Sequence, residues 1–280
     1  MDLKWFKIDV TAEEGYKPPF FAGSMLRGAL GVALKRVVCI NPSFCCDQCF
    51  AADSCLYYDF YEKKNTFHPY RITSALGMNR LKFSVWIYED ATSQLPYMLS
   101  AVKYALEVNG LGRKKEKVKV CSIETGGRRV YDGDKFSSLS EIVPEHFMLN
   151  ELHSGAVLKM RTPLRIKKEN RLSRELDLPM LVSSIHGRYR QMKRMEPSRP
   201  GYDIRGEISS SRLKHLDLYR YSNRQKSRMK LGGLIGSIGF QGLDKQSYAY
   251  LKLGEVLGVG KQTVFGLGDY FIERSEIGKD

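Results

Sequence analysis

The 280-residue sequence predicts an α+β fold built from two tandem copies of a β-α-β-β-α-β unit, and three observations carry that prediction. First, a glycine turn recurs. Glu107-Val108-Asn109-Gly110-Leu111-Gly112-Arg113 reads like Glu255-Val256-Leu257-Gly258-Val259-Gly260-Lys261, and each copy follows an apolar-periodic helix and precedes a strand. Second, segments of helical and of alternating apolar periodicity succeed one another in the same order in both halves. Third, a chain that is 42% hydrophobic and 27% charged can bury two cores of ordinary size.

In the first copy, Leu3 to Val10 alternates well enough for a strand, and Tyr16 to Phe20, with Pro18-Pro19, must be a loop. From Ser24 to Val38 the apolar positions Leu26, Leu30, Leu34 and Val38 recur every fourth residue, with Arg27, Lys35 and Arg36 between them. That is an amphipathic helix with Ser24 as its cap. Gly28 and Gly31 inside it each cost about 1 kcal/mol relative to alanine, which points to close packing against a neighbour. Thr66 to Ile72 and Leu81 to Ile87 supply two more strands, Leu95 to Val108 a second helix capped by Asn109-Gly110, and Lys117 to Ile123 the last strand. The order is ferredoxin-like (RRM-like) and occupies residues 1–125, with a cysteine-rich insertion over 39–64.

The stretch 126–150 is polar and turn-rich, and is read as linker and start of the second domain. The second copy, 151–280, has a strand from Ala156 to Thr162, a helix from Leu178 to Met195 and a long hairpin of Arg205–Tyr221 with Arg228–Phe240. The hairpin is joined through Ser222-Asn223-Arg224-Gln225. A helix from Tyr248 to Leu257, the glycine-rich loop 254–268 and a closing strand from Thr263 to Glu273 complete it.

The formal net charge of +14 is concentrated. Leu158 to Lys230 holds 20 Lys/Arg against 7 Asp/Glu, whereas the remaining residues hold 25 against 24. Such a block attracts polyanions and exchanges their counterions for Lys/Arg contacts, which points to nucleic acid over a merely solvated basic face. Arginines interleaved with tyrosines, as at Leu218-Tyr219-Arg220-Tyr221, suit phosphates and stacked bases together. The opening MDLKWFKIDV lacks the long apolar run of a signal peptide, and no run of about 18 uncharged apolar residues occurs. The expectation is a cytoplasmic protein with no membrane partner.

Five of the six cysteines fall between Cys39 and Cys55. Cys46-x2-Cys49 has zinc-knuckle spacing, and Cys39 and Cys55 flank it at distances that suit four thiolates. A structural zinc is the first reading and a vestigial or redox-sensitive cluster the second. Four thiolates leave no open position for water, so no catalytic metal is expected. The glycine turn is not a nucleotide P-loop, because Gln262 stands where Ser/Thr is required and the order is helix then strand. It reads instead as a polar backbone nest beside Lys261, suited to an RNA backbone.

Together, the two ferredoxin-like halves, Leu26-Arg27-Gly28-Ala29-Leu30-Gly31, the cysteine cluster ending Cys55-Leu56-Tyr57, His68-Pro69-Tyr70 and Gly258-x-Gly260-Lys261-x-Thr263-x-x-Gly266-x-Gly268 resemble the RAMP superfamily of CRISPR systems. Within it the chain most resembles the branch of repeat-specific endoribonucleases that carries a cysteine cluster. The resemblance implies metal-free cleavage of CRISPR repeat RNA in precursor crRNA, leaving a 5′-hydroxyl and a 2′,3′-cyclic phosphate, and retention of the guide. The alternative is a non-catalytic RAMP subunit that only holds RNA among other Cas subunits; a monomer or a homodimer would suit either.

Metal-free cleavage needs a base for the 2′-hydroxyl, cations for the phosphorane and an acid for the leaving oxygen. Relatives often carry the base on the first helix, but here that helix has no histidine. The catalytic candidates are therefore His68, His186 with Tyr189 one turn on, Tyr16 and Lys35. The RNA-binding candidates are Arg27, Arg188, Arg190, Arg220, Arg224, Gly258, Gly260, Lys261, Gly266 and Gly268.

Overall fold

The structure, a computed structural model, describes residues 1–168, 171–222 and 227–273, so Arg224 lies outside the described residues. The chain divides into two units, Met1–His146 and Phe147–Asp280.

In the first unit, β1 (Lys4–Ala12) leads to α1 (Gly23–Val38), then β2 (Tyr70–Ser74), β3 (Lys82–Tyr88), α2 (Leu95–Lys103), β4 (Val120–Thr125), β5 (Arg128–Tyr131) and β6 (Glu145–His146). The antiparallel sheet runs β2-β3-β1-β4-β5, with β6 on the end of β1 at Lys4 and Trp5. Period-two patterning decides which face of β1 is buried: Phe6, Ile8, Val10 and Ala12 all lie in the core. The apolar ridges of both helices meet the sheet, and Leu26, Ala29 and Leu30, Val102 and Leu106, and Ile72 and Phe83 surround one small void. Each such leucine or phenylalanine contributes about 1.5–3 kcal/mol by leaving water.

Three local readings change. Ser24 is not the cap of α1, because Ala22 holds that position without any side-chain bond. The second helix widens after Lys103 into a π-helical turn ending at Asn109. Residues expected to link the domains instead add β5 and β6 to the first sheet.

In the second unit, β7 (Ala156–Met160) and the short pair β8 (Lys167–Lys168) and β9 (Arg171–Leu172) precede α3 (Leu178–Met192). Then follow β10 (Glu207–Leu216), β11 (Tyr219–Ser222), β12 (Ser227–Lys230), β13 (Gly233–Gln241), α4 (Lys245–Leu257) and β14 (Tyr270–Glu273). The sheet order β10-β13-β7-β14 repeats the β2-β3-β1-β4 order of the first unit. Asp177 and Asp244 cap α3 and α4 through their carboxylates. The expected hairpin is present, paired from Glu207↔Gln241 to Leu216↔Gly233 and prolonged by β11 and β12. The closing strand is shorter than expected: Thr263–Phe265 forms a single 3-10 turn, and β14 starts only at Tyr270.

Candidate functional site

In the first unit, the i, i+4, i+8 ridge of α1 presents Arg27, Gly31 and Lys35 in a row. A π-helical turn, Tyr58–Glu62, lies along that ridge. Tyr61 fixes it there, its hydroxyl donating to the Arg27 carbonyl oxygen at 3.0 Å. A Cβ on Gly31 would stand 2.6 Å from Cε1 of Tyr61, so the glycine is what lets the ring lie against the helix. Tyr57 stacks on Tyr61 at 5.2 Å and 8°. The guanidinium of Arg27 lies over Tyr61, 4.7 Å from the ring centre, and the Lys35 ammonium over Tyr57 at 5.0 Å. Behind them Tyr70, fully buried, stacks on Phe60 and Tyr61.

His68 enters this cluster between the π-helical turn and β2. Its Nδ1 is 3.1 Å from the carbonyl oxygen of Asp59. A carbonyl only accepts, so Nδ1 carries the proton in the neutral ring and Nε2 keeps a free lone pair. Nε2 has no protein partner among the described residues. Burial lowers the His68 pKa below the ordinary imidazole value and the positive Arg27 lowers it further, against the raising effect of the Asp59 bond. A neutral imidazole beside a guanidinium can accept a proton while the cation stabilises an anion. Tyr16, at the foot of α1, donates to the Met25 sulfur at 3.2 Å, and burial raises its pKa.

The cysteines lie at the other end of α1. Cys39, Cys49 and Cys55 line one cavity of about 340 Å³ with Val38, Asn41 and Tyr97. Asn41 organises the loop, accepting from Ser43 and donating to the Cys45 carbonyl and the Cys49 sulfur. Burial first, then Glu62 through its charge and hydrogen bond, and after them Cys46, raise the Tyr57 pKa. Among the described residues no group of three or more His, Cys, Asp or Glu is placed to hold a metal ion, so the four thiols as arranged are not a ready zinc set.

In the second unit, the glycine loop departs from the open nest that its sequence suggests. Gly258, Gly260, Gly266 and Gly268 all have positive φ, as does Gln262. The amides are spent internally, however. Those of Gly258, Val259 and Lys261 donate to Gly254, Gly268 and Arg165 carbonyls, and that of Gly268 to Pro163. The Gly260 amide donates to the Ser184 hydroxyl at 2.9 Å. A Cβ on Gly268 would lie 1.9 Å from the Val259 oxygen, which shows how closely the loop folds on itself. Arg188 is buried and clamps the loop, donating to Thr263 Oγ1 at 2.6 Å and to the Gly260 oxygen at 2.5 Å. It was expected on an RNA surface; α3 turns it inward instead. Lys261 keeps an exposed side chain.

His186 is also turned inward, with Nδ1 2.8 Å from the Tyr250 hydroxyl and Nε2 3.3 Å from the Ser198 hydroxyl. Burial first and Arg190 second lower its pKa. Its nitrogens are thus both engaged, unlike those of His68. Arg190 donates from Nε to the Glu196 carbonyl, and Tyr189 is half-buried on the same helix. Arg220, on the ribbon, lies 4.5 Å over the Phe265 ring and so sets the ribbon beside the glycine loop. The structure therefore gathers His68, Arg27 and Lys35 in one unit, and Arg188, Arg220 and the glycines in the other. Sequence reasoning missed Tyr57 and Tyr61, although their i, i+4 spacing was a usable signal in a stretch that carried no regular pattern.

Comparison with known proteins bears on both units. Residues 1–145 match the family model AF_1859_N, an N-terminal domain, and residues 158–270 match the model of the CRISPR-associated endoribonuclease Cas6. An uncharacterized protein of Archaeoglobus fulgidus is 24% identical over 278 residues, spanning 92% of this chain and 93% of its own. Among solved structures, a Cas6 product complex is 14% identical, covers 97% of this chain and 99% of its own, and has a TM-score of 0.57. Thermus thermophilus Cas6 is 14% identical over 97% and 98% of the two chains, with a TM-score of 0.56. At that identity the solved structures speak to the fold.

Proposed function

The chain belongs to the AF_1859_N family through residues 1–145 and carries a CRISPR-associated endoribonuclease Cas6 domain over residues 158–270, and on that premise we propose that it binds and cleaves CRISPR repeat RNA in precursor crRNA, without metal, to give guide RNAs. The observation that supports cleavage is the Asp59–His68 bond, which aims a neutral Nε2 away from its anchor. In this reading Nε2 takes the 2′-hydroxyl proton, the 2′ oxygen attacks phosphorus and the bond to the 5′ oxygen breaks. The proton is returned through solvent to that leaving oxygen. The products are a 2′,3′-cyclic phosphate and a 5′-hydroxyl, and no other reactant is consumed. Arg27 faces the charge that develops on the phosphorane. The basic ribbon, Arg220 and Lys261 hold the strand in the second unit.

The test is incubation of a cognate repeat RNA with the protein in EDTA. Cleavage to a cyclic phosphate, lost in His68→Ala and kept in His186→Ala, is the expected result. An intact RNA that is nevertheless tightly bound would replace this reading with that of a non-catalytic RAMP subunit. The site of action is the cytoplasm, and other Cas subunits are its expected neighbours. A structural zinc belongs to the same reading: three of the thiols already line one cavity, and closure of Cys46 onto them would make four. One zinc per chain by metal analysis is expected, and a metal-free, fully folded protein would remove this part alone.

A further inference from the structure

The cation–tyrosine–tyrosine–cation stack on α1 ends differently at its two ends. Arg27 lies over Tyr61, whose hydroxyl is tied to the main chain and beneath which Gly31 leaves no spare room. Lys35 lies over Tyr57, which is half-buried at the outer end of the stack, and the Tyr57 hydroxyl is steadied by a bond to Glu62 Oε1 at 3.1 Å. Arg27 and Lys35 are eight residues apart on one ridge, about 12 Å along the helix axis, so one phosphate cannot serve both. Arg27 is the cation that, after burial, lowers the pKa of His68.

We propose that Lys35 and Tyr57 form a subsite for one unpaired nucleotide of the RNA strand, separate from the nucleotide that is cut. Lys35 takes the phosphate of that nucleotide. As its ammonium leaves the ring, the uncovered face of Tyr57 takes the base, the combination of cation and aromatic platform that single-stranded RNA uses elsewhere. The inference rests on the cleavage reading only for the position of the cut. It moves Lys35 from the catalytic candidates to strand placement, and it makes Tyr57 a specificity residue that prefers an unpaired base to a paired one.

The experiment scans 2-aminopurine, one position at a time, through the repeat RNA and follows its fluorescence on binding. One position near the cut is expected to be quenched by stacking, the quench to vanish in Tyr57→Leu, and Tyr57→Phe to restore it. An abasic nucleotide at that same position should weaken binding roughly tenfold to wild type and have no effect on Tyr57→Leu, within the range of base–aromatic stacking. Lys35→Met should reduce the slope of log affinity against log salt by about one. If no position depends on Tyr57, or if Lys35→Met leaves the salt slope intact, the subsite does not exist. Because these are binding readouts, a protein that binds but does not cut would overturn the proposed cleavage without touching this result, and the converse also holds.

Discussion

Arg27 and Tyr61 hold each other at two points: the Tyr61 hydroxyl donates to the main-chain oxygen of Arg27 at 3.0 Å, while the Arg27 guanidinium lies 4.7 Å from the centre of the Tyr61 ring. The backbone contact fixes the tyrosine, and the tyrosine then fixes the guanidinium. An arginine on a helix surface would otherwise sample many rotamers, and immobilising it in advance lowers the entropy that a bound phosphate must overcome.

Gly31→Ala tests the base of this arrangement. The new methyl would meet a ring that is pinned by stacking on Tyr57 and Tyr70 and cannot swing aside. A loss of about 1–3 kcal/mol in urea unfolding is expected, the range of an overpacked core. Gly28→Ala, where a Cβ meets nothing within 4 Å, should not be destabilising, since alanine is also the better helix former.

Arg27→Ala should move the acid limb of the cleavage rate to higher pH. Burial is the first cause of the lowered His68 pKa and Arg27 is a further one, so removing the cation lets the folded-state pKa rise toward 6.5. In wild type the neutral base therefore persists below pH 6.5, and in Arg27→Ala it is lost sooner on acidification. Linkage has the same sign for stability: a depressed histidine costs nothing above the unfolded pKa, and destabilises as pH falls below it because the unfolded chain takes the proton first. A pH–rate profile with the limb unmoved would detach Arg27 from His68.

Arg188→Met removes both charged bonds to the glycine loop while keeping most of the aliphatic volume. Roughly 2–4 kcal/mol of stability should be lost, since the Gly260 oxygen and the Thr263 hydroxyl lose a charged donor inside the protein. Denaturant titration reads this directly, and an unchanged midpoint would return Arg188 to the list of RNA contacts.

Lys261→Ala should instead weaken RNA binding across unrelated sequences and lower the salt slope by about one, as for a phosphate contact. Filter binding at several ionic strengths separates it from Arg188. A sequence-selective loss would mean that Lys261 reads a base.

The fold was legible because both of its units announce themselves through periodicity: alternation in β1 and β3 and a four-residue apolar repeat in α1 of the first, and alternation in β7 of the second. The caps were half legible. Gly110 closes the second helix as Asn109-Gly110 predicts, but Ser24 does not cap α1, because the chain enters it already near helical geometry at Ala22, and the capping carboxylates of Asp177 and Asp244 were not read from the sequence. The site was harder to read, since side-chain direction is set by packing and not by residue type. His68 and His186 look alike as letters, yet one has a backbone carbonyl on Nδ1 alone and the other is held at both nitrogens. Arg188 and Arg190, two residues apart, differ in the same way: α3 buries the first against Thr263 and leaves the second half-buried.

The closed glycine loop also bears on how such proteins are found. Its counterpart in the first unit behaves alike: Gly110 has φ of 75°, and a Cβ there would lie 2.2 Å from the Lys115 oxygen. In both copies the glycines answer to the same steric demand of turning a helix back into a sheet. The hallmark motif is thus a record of architecture. A descendant that had lost its cutting residue would still carry every glycine, and a search keyed to them would return active nucleases and retired ones together.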